Sequence, residues 1–292
     1  MSRPVELKMK LSLEAPAKIN WFLSVAGRRE DGYHDIVSPM QCVSLFDNLF
    51  FDDAEGIELI SDLDLPAVDN LVYRAAALMK KYSSYKKGAR ILLQKNIPSA
   101  AGLGGGSSDA AFTLMGLNRL WGLKLSRTEL MQLGSELGSD VPFFINGPFS
   151  LVEGRGDRVA ALATGSSFTV LLVKPDISVS TAWAYSSFTE LTKKYVDIKL
   201  FCQALDGKDF GSLRSLVFND LENAVVGKYR EVAVIKEALI KNGAVLSSMS
   251  GSGSAVFGIF ESDDEALRAS LKMGKNWCRV VRTLNTNEKW EI

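Results

Sequence analysis

Four glycines, Gly102, Gly104, Gly105 and Gly106, lead directly into Ser107 and Ser108. Backbone amides in such a run have no Cβ to block close approach. Beyond them Ala111, Leu114, Leu117, Leu120 and Trp121 recur every three or four residues, which predicts an amphipathic helix starting near Ser107 or Ser108. A helix N-terminus presents unpaired N–H groups and about half a positive elementary charge, so phosphate oxygens are its natural guests. A flexible Gly/Ser linker would not sit within a few residues of both a strand and an amphipathic helix. The loop is not a Walker A sequence, because no Lys-Ser/Thr pair follows the glycines, and no GxGxxG with an acid about 20 positions later marks a dinucleotide site. The HRD element of protein kinases is absent, and these glycines precede a helix instead of joining two strands. A second glycine-rich stretch, Ser250-Gly251-Ser252-Gly253-Ser254, precedes the apolar run Ala255 to Phe260 and by itself reads as a turn with glycines at positive φ.

Phosphoryl transfer to a hydroxyl needs a group that takes or orients the proton, and cations that hold the charge spread over the transferring group. Asp140, between Gly138 and Pro142, is an acid with Phe143 and Phe144 close behind it, and Lys18, after Ala15-Pro16-Ala17, is a candidate partner. An adjacent ammonium lowers the pKa of a carboxylate or an acceptor hydroxyl. Taken singly, each also reads as an ordinary solvated charge, and spacing in the chain does not show that they meet. The single histidine, His34, removes readings that need several imidazole ligands or an imidazole base beside a nucleophile. Cys42, Cys202 and Cys278 lie far apart, with neither zinc-site spacing nor disulfide density, and read as buried thiols of a reducing compartment.

The elements that must carry these groups mix strands and helices, with strands leading. Leu7, Met9, Leu11 and Leu13 alternate with polar residues as a strand does, and a second run, Ile19 to Val25, follows Pro16. GRREDGYHDI reads as a loop before strands at Ser38 to Phe46, Asn48 to Phe51 and Ile57 to Ile60. Asn70 to Tyr82 has helical spacing with Asp69 or Asn70 as N-cap, Arg90 to Gln94 is β-like, and Arg127 to Leu137 is a helix with Ser126 and Glu129 close to a capping box. GSDVPFFINGPF breaks the pattern with two prolines. Strands follow at Phe149 to Glu153 and Phe168 to Val173, and a boundary near Ala163 to Ser167 divides the chain into 1–164 and 165–292. After a variable polar region come helices around Phe201 to Leu205 and Arg230 to Asn242, the strand Ala255 to Phe260, a helix at Glu265 to Met273 and a strand at Arg279 to Leu284.

With 292 residues, 47% hydrophobic and 23% charged, the chain has ample core for one large domain or two modest ones. Lys plus Arg, 34, balances Asp plus Glu, 34, so no global basic field gathers polyanions and no nucleic-acid partner is expected. No secretory apolar region opens the sequence and no run of about 18 apolar residues occurs, so the expected location is the cytoplasm, without a membrane partner.

Three segments together, APAKINWFLSVAGRREDGYH, PSAAGLGGGSSDAA and SGSGSAVF, resemble in order and separation the motifs of the GHMP small-molecule kinases, and the likeness spans nearly the whole chain. Within that superfamily AKIN, GRREDGYHDI, the triple glycine of GLGGGSSDAA, GSDVPFF and NDLE are similar to the 4-diphosphocytidyl-2-C-methyl-D-erythritol kinase family of the non-mevalonate isoprenoid pathway, and DGYH discriminates best. The resemblance implies a two-lobed α+β fold. Its N-terminal lobe is ribosomal-protein-like, its C-terminal lobe is ferredoxin-like, and the site lies between them. It implies an ATP-dependent kinase, with Mg2+ expected, that phosphorylates the 2-hydroxyl of a cytidine diphosphate derivative of methylerythritol. Another GHMP kinase, of the homoserine or mevalonate type, and a nucleotide-binding sensor without catalysis are the alternatives, and a monomer or weak homodimer is expected.

Residue by residue, the resemblance makes Asp140 the base at the 2-hydroxyl and Lys18 the group that stabilises the resulting charge. Asn20 falls at the erythritol part, Tyr33 and His34 at the cytosine, and Tyr185 or Trp183 on the opposite face of that base. Asn70, Lys95 and Pro98 fall among nucleotide-binding residues, and Gly102, Leu103, Gly104, Gly105, Gly106, Ser107 and Ser108 surround the β- and γ-phosphates. Gly251, Ser252 and Gly253 let the C-terminal lobe approach the substrate phosphates. No protein ligand of magnesium is assigned, and Asp109 reads equally as an acid that stabilises the helix N-terminus. Thr189 to Lys199 follows no fixed pattern and leaves the outer wall of the substrate site undefined.

Overall fold

Strand pairing in the first half of the chain is organised by one long ribbon. The computed structural model describes residues 9–30, 32–63, 65–188 and 196–286. In order come β1 (Leu11–Asn20), β2 (Ser24–Arg28), β3 (His34–Ala54), β4 (Ile57–Ser61), α1 (Leu71–Ser83), β5 (Gly88–Gln94), α2 (Gly105–Leu120), α3 (Arg127–Leu137), α4 (Val141–Asn146), β6 (Phe149–Gly154) and β7 (Arg158–Ala161). Expected as two strands, Ser38 to Phe46 and Asn48 to Phe51, β3 is one strand of 21 residues, because β1 and β2 pair along one of its edges and β5 and β6 along the other. The sheet runs β4-β5-β3-β6-β7, with β1 and β2 also paired to β3. Pro16 does not end the first strand. Its missing N–H is absorbed where the register against β3 shifts between Pro16 and Ala17. Leu7 lies outside the described residues.

Asn70 caps α1, accepting from the Val72 amide at 2.9 Å, and Ser126 with Glu129 completes the capping box of α3. The expected break at GSDVPFFINGPF is instead a short helix, α4, since a proline in the first turn removes only an N–H that has no intrahelical partner. α2 lies against β3, where a Cβ on Gly116 would stand 2.6 Å from Phe51 Cζ.

The second half comprises β8 (Thr169–Lys174), α5 (Thr181–Ser186), α6 (Ile198–Asp206), α7 (Phe210–Leu216), α8 (Glu222–Lys228), α9 (Arg230–Lys241), β9 (Leu246–Met249), β10 (Val256–Phe260), α10 (Asp263–Ser270) and β11 (Trp277–Arg282). An antiparallel sheet of order β11-β8-β10-β9 forms its centre, and the apolar strand β10 is buried along its full length. The short elements α5, α7 and β9 carry too few apolar repeats to show in a period. The tripeptide Asp209-Phe210-Gly211 resembles a kinase metal motif only in letters: Asp209 caps α7 at the surface. Residues 189–195 of the stretch Thr189 to Lys199 lie outside the described residues.

Aromatic packing joins the lobes. Trp21, which follows β1, meets Phe168, Phe201 and Phe257 edge-on at 5.2, 6.2 and 6.4 Å, and donates its indole N–H to Gln41 Oε1 at 2.7 Å. Gln41 in turn donates to the Leu284 carbonyl at 2.8 Å. The fold is thus two α+β lobes with a shared aromatic seam.

Gly116→Ala should lower unfolding free energy by about 1–2 kcal/mol, because the overpacking penalty exceeds the roughly 1 kcal/mol that Ala gains over Gly inside a helix. Urea denaturation measures it, and Phe51→Leu in the same background should recover part of the loss.

Candidate active site

The glycine turn is shaped by close backbone approach. Gly102 and Gly104 both adopt φ 74°, and Leu103 between them accepts from the Lys18 amide of β1 at 2.9 Å. A Cβ on Gly102 would lie 2.0 Å from the Ser250 carbonyl oxygen, and one on Gly104 would lie 2.8 Å from the Phe144 ring. α2 begins at Gly105, earlier than the helical period predicts, so Gly105 and Gly106 form its first turn instead of its approach. This start separates the two serines, about 100° apart around the helix. Ser107 faces the cavity between the lobes, whereas Ser108 is fully buried, does not line the cavity, and has no hydrogen-bond partner for its hydroxyl among the described residues.

The second glycine stretch docks on the first. Ser250 Oγ donates to the Gly102 carbonyl at 3.0 Å, and the Ala255 amide donates to the Ala101 carbonyl at 3.0 Å. Gly251, at φ 55°, leaves room where a Cβ would come within 3.0 Å of Lys18 Nζ. Asn219 of the NDLE segment braces this turn, donating to the carbonyls of Met249 and Gly251 at 2.8 Å each. Its neighbour Asp220 accepts from the Val25 amide of β2 at 2.7 Å. Ser252 lines the cavity and Thr181 bonds it at 2.9 Å. Gly253 does not line it, because its vacant Cβ position faces Met249 Sδ inside the turn.

Lys18 and Asp140, distant in sequence, meet across the cavity. Lys18 is 3% exposed, donates to Asn20 Oδ1 at 2.6 Å and lies 3.8 Å from Asp140 Oδ2. Burial pulls the pKa of the Lys18 ammonium down, and the Asp140 carboxylate opposes that pull. Asn20 is oriented from behind: its amide donates to Ser38 Oγ at 2.8 Å, and Ser38 donates to the Phe22 carbonyl at 2.6 Å. Asp140 is the N-cap residue of α4 yet makes no side-chain capping bond, and its carboxyl is 31% exposed.

The cavity, about 950 Å³, extends from this pair in two directions. One end is aromatic. The His34 ring stands 5.5 Å from that of Tyr185, tilted by 30°, with Phe188 edge-on at 6.4 Å. Tyr33 is 54% exposed and has the Arg155 guanidinium 5.8 Å over its ring. Between the two aromatics considered for the far face, Tyr185 lines the cavity, while Trp183 lies under Lys228 at 4.3 Å and edge-on to Tyr229. Burial, then the Arg28 charge, lowers the His34 pKa, so its imidazole is neutral at pH 7 and offers one donor and one acceptor.

The other end holds Asn70, Leu71, Lys95, Ile97 and Pro98 beside the glycine turn. Asn70 Oδ1 is engaged in capping α1, and Lys95 is paired with Asp47 and with Asp109, the latter at 2.6 Å. Of the residues named from the sequence, then, all but Ser108, Gly253 and Trp183 line one cavity. Arg28, Ser139, Arg155, Asp47 and Asp109 join the site or its wall without having been assigned there. Arg28 sits inside GRREDGYHDI and Arg155 inside the turn GRGD, where surface arginines are commonplace, and nothing about Asp47 in a strand distinguishes it from a solvated acid.

The GHMP kinases N terminal domain family matches residues 70–148, and the GHMP kinases C terminal family matches residues 198–279. The 4-diphosphocytidyl-2-C-methyl-D-erythritol kinase of Thermodesulfovibrio yellowstonii is 47% identical over 279 residues, covering 94% of this chain and 98% of that protein. The protein of the same name from Clostridioides difficile is 38% identical, covering 96% of each. A crystal structure of 4-(cytidine 5'-diphospho)-2C-methyl-D-erythritol kinase superposes with a TM-score of 0.83 at 32% identity, over 94% of this chain and all of that one. The homoserine kinase of Cytophaga hutchinsonii, at 20% identity, superposes with a TM-score of 0.72 over 98% of each chain and shares the fold. Two lobes meeting at paired glycine turns, with an acid and an ammonium of the first lobe side by side in the cavity between them, are carried by a chain that belongs to the GHMP kinase superfamily and, within it, to the family of the 4-diphosphocytidyl-2-C-methyl-D-erythritol kinases.

Proposed function

We propose that the chain transfers the γ-phosphoryl group of ATP to the 2-hydroxyl of 4-diphosphocytidyl-2-C-methyl-D-erythritol, releasing ADP. The observation that carries this reading is the 3.8 Å approach of Lys18 Nζ to Asp140 Oδ2 beside a glycine turn in which neither Gly102 nor Gly104 has room for a Cβ. A triphosphate fits that turn because the first amides of α2 and the helix N-terminus face it without obstruction. Magnesium, when bound with the nucleotide, would neutralise charge on the transferring group; no side chain is assigned to hold it.

Asp140 takes the proton of the acceptor hydroxyl as that oxygen attacks phosphorus. Its partly exposed carboxyl is free of the helix cap and can reach a ligand. Lys18, held by Asn20 and desolvated, places a positive charge where the attacking oxygen and the phosphoryl group gain negative charge; low local dielectric strengthens that attraction. The aromatic end suits a pyrimidine. Tyr33 and Tyr185 offer flat faces, and the neutral imidazole of His34 can pair with the donor and acceptor edge of cytosine.

A coupled ADP-release assay with the cytidyl substrate beside homoserine, mevalonate and galactose tests the substrate. Turnover confined to the cytidyl compound supports the proposal; turnover of a small alcohol alone points to another GHMP activity, and ATP binding without any turnover to a sensor. Asp140→Asn should lower kcat by about 10²–10⁴-fold and change ATP affinity by no more than a few-fold, and a near wild-type rate would refute the base assignment. Tyr33→Ala should raise KM for the cytidyl substrate far more than KM for ATP; equal effects would count against the cytosine slot.

A further inference from the structure

Behind the glycine turn lies a buried charge cluster that the transfer chemistry does not use. The Asp47 carboxylate, fully buried on β3, accepts from the amides of Asn96 and Ile97 at 2.6 and 2.9 Å and from Lys95 Nζ. Its hydrogen-bonding capacity is largely met by these three donors. Lys95 Nζ also donates to Asp109 Oδ2 at 2.6 Å and stands 3.3 Å from the vacant Cβ position of Gly105, the first residue of α2. Asp109 is 2% exposed, lines the nucleotide end of the cavity, and its Oδ1 has no partner among the described residues. Two carboxylates and one ammonium leave this trio with one surplus negative charge. The charged groups acting on Asp109 are Lys95 and Asp47, while Glu14 and Arg279 stand beyond Lys95 on the rim of a separate surface cavity. A surplus anion buried at the place where a highly charged triphosphate must sit is unfavourable twice over, through desolvation and through repulsion.

We propose that Asp109 is a positioning residue that works as the neutral acid: with Asp47 it fixes the Lys95 ammonium against the first turn of α2, and it carries the proton that neutralises this trio when a nucleoside triphosphate is bound. The inference rests on the cavity being a nucleotide site, not on the identity of the phosphoryl acceptor. The proton comes from solvent onto Asp109 and returns to solvent when it leaves, and no other bond changes. Burial raises the Asp109 pKa to about 7, with Lys95 lowering it and Asp47 raising it further, so the switch lies within the working range of the protein. The neutral acid dominates below that pH and the anion above it, and the nucleotide is held less tightly as pH rises.

Calorimetric binding of adenylyl imidodiphosphate with Mg2+, with no alcohol present, tests this directly. The Kd of the wild type, divided by that of Asp109→Asn at each pH, should climb between about pH 6 and pH 8.5 by up to roughly tenfold per unit, because the amide imitates the protonated acid and ionisation of the nucleotide cancels in the ratio. Near neutral pH the wild type should take up more protons on binding than the variant, as read in buffers of different ionisation enthalpy. A flat ratio with equal proton uptake overturns the proposal, and so does loss of binding in an Asp109→Asn protein whose thermal unfolding matches the wild type. Without any variant, a protonated-carboxyl infrared band of the wild type should persist near pH 6 and fade above about pH 8, and its absence at the lower pH overturns the proposal as well. Failure of the cytidyl compound to turn over would leave these binding results intact and sink only the substrate reading.

Discussion

Everything in the site depends on two glycine turns touching backbone to backbone across the lobes. The Gly102 carbonyl accepts from Ser250 Oγ, a Cβ on Gly102 would lie 2.0 Å from the Ser250 carbonyl oxygen, and one on Gly251 would lie 3.1 Å from the Gly102 carbonyl oxygen. That contact determines where the N-terminus of α2 stands relative to the C-terminal lobe. It also determines how near Lys18 comes to the glycine turn, since the Lys18 amide holds Leu103 and its ammonium lies against Gly251. A side chain at Gly102 would push the two turns apart, and one at Gly251 would crowd the Lys18 ammonium.

Around that contact the protein places polar groups in buried relays, each anchored at its far end. Lys18 leans on Asn20, Asn20 on Ser38, and Ser38 on a main-chain carbonyl. Asn219 and Asp220 do the same for the second turn, one bracing the Gly251 carbonyl and the other reaching over to β2. Lys95 is clasped by two acids from different elements. Buried polar groups that lack partners are penalised by about 1–3 kcal/mol each, so a satisfied relay has few alternative geometries and holds its terminal group in place. These relays surround Lys18 and the glycine turns, and the aromatic end is more open, with Tyr33 exposed.

The division of labour between the lobes follows from the same layout. The first lobe supplies the first glycine turn, the ammonium, the acid and the outer aromatic. The second supplies a small turn and the inner aromatics Tyr185 and Phe188. A cavity assembled this way joins the end beside the glycine turn to an aromatic end, with Lys18 and Asp140 between them.

How much of this the chain discloses depends on the range of each interaction. Local physics determined the caps at Asn70 and Ser126, the amphipathic helix after the glycines, the apolar strands of the second lobe and the likeness of three segments to the GHMP kinases, because those signals lie within a few neighbouring residues. Only the tertiary structure decided that β3 is one ribbon, that α2 opens at Gly105 and so turns Ser108 away from the cavity, and that Tyr185 and not Trp183 faces His34. The same holds for the meeting of Lys18 with Asp140 and of Asp47 with Lys95 and Asp109. These are contacts between residues far apart along the chain, and a sequence pattern carries no information on distance across a fold until packing has brought the elements together.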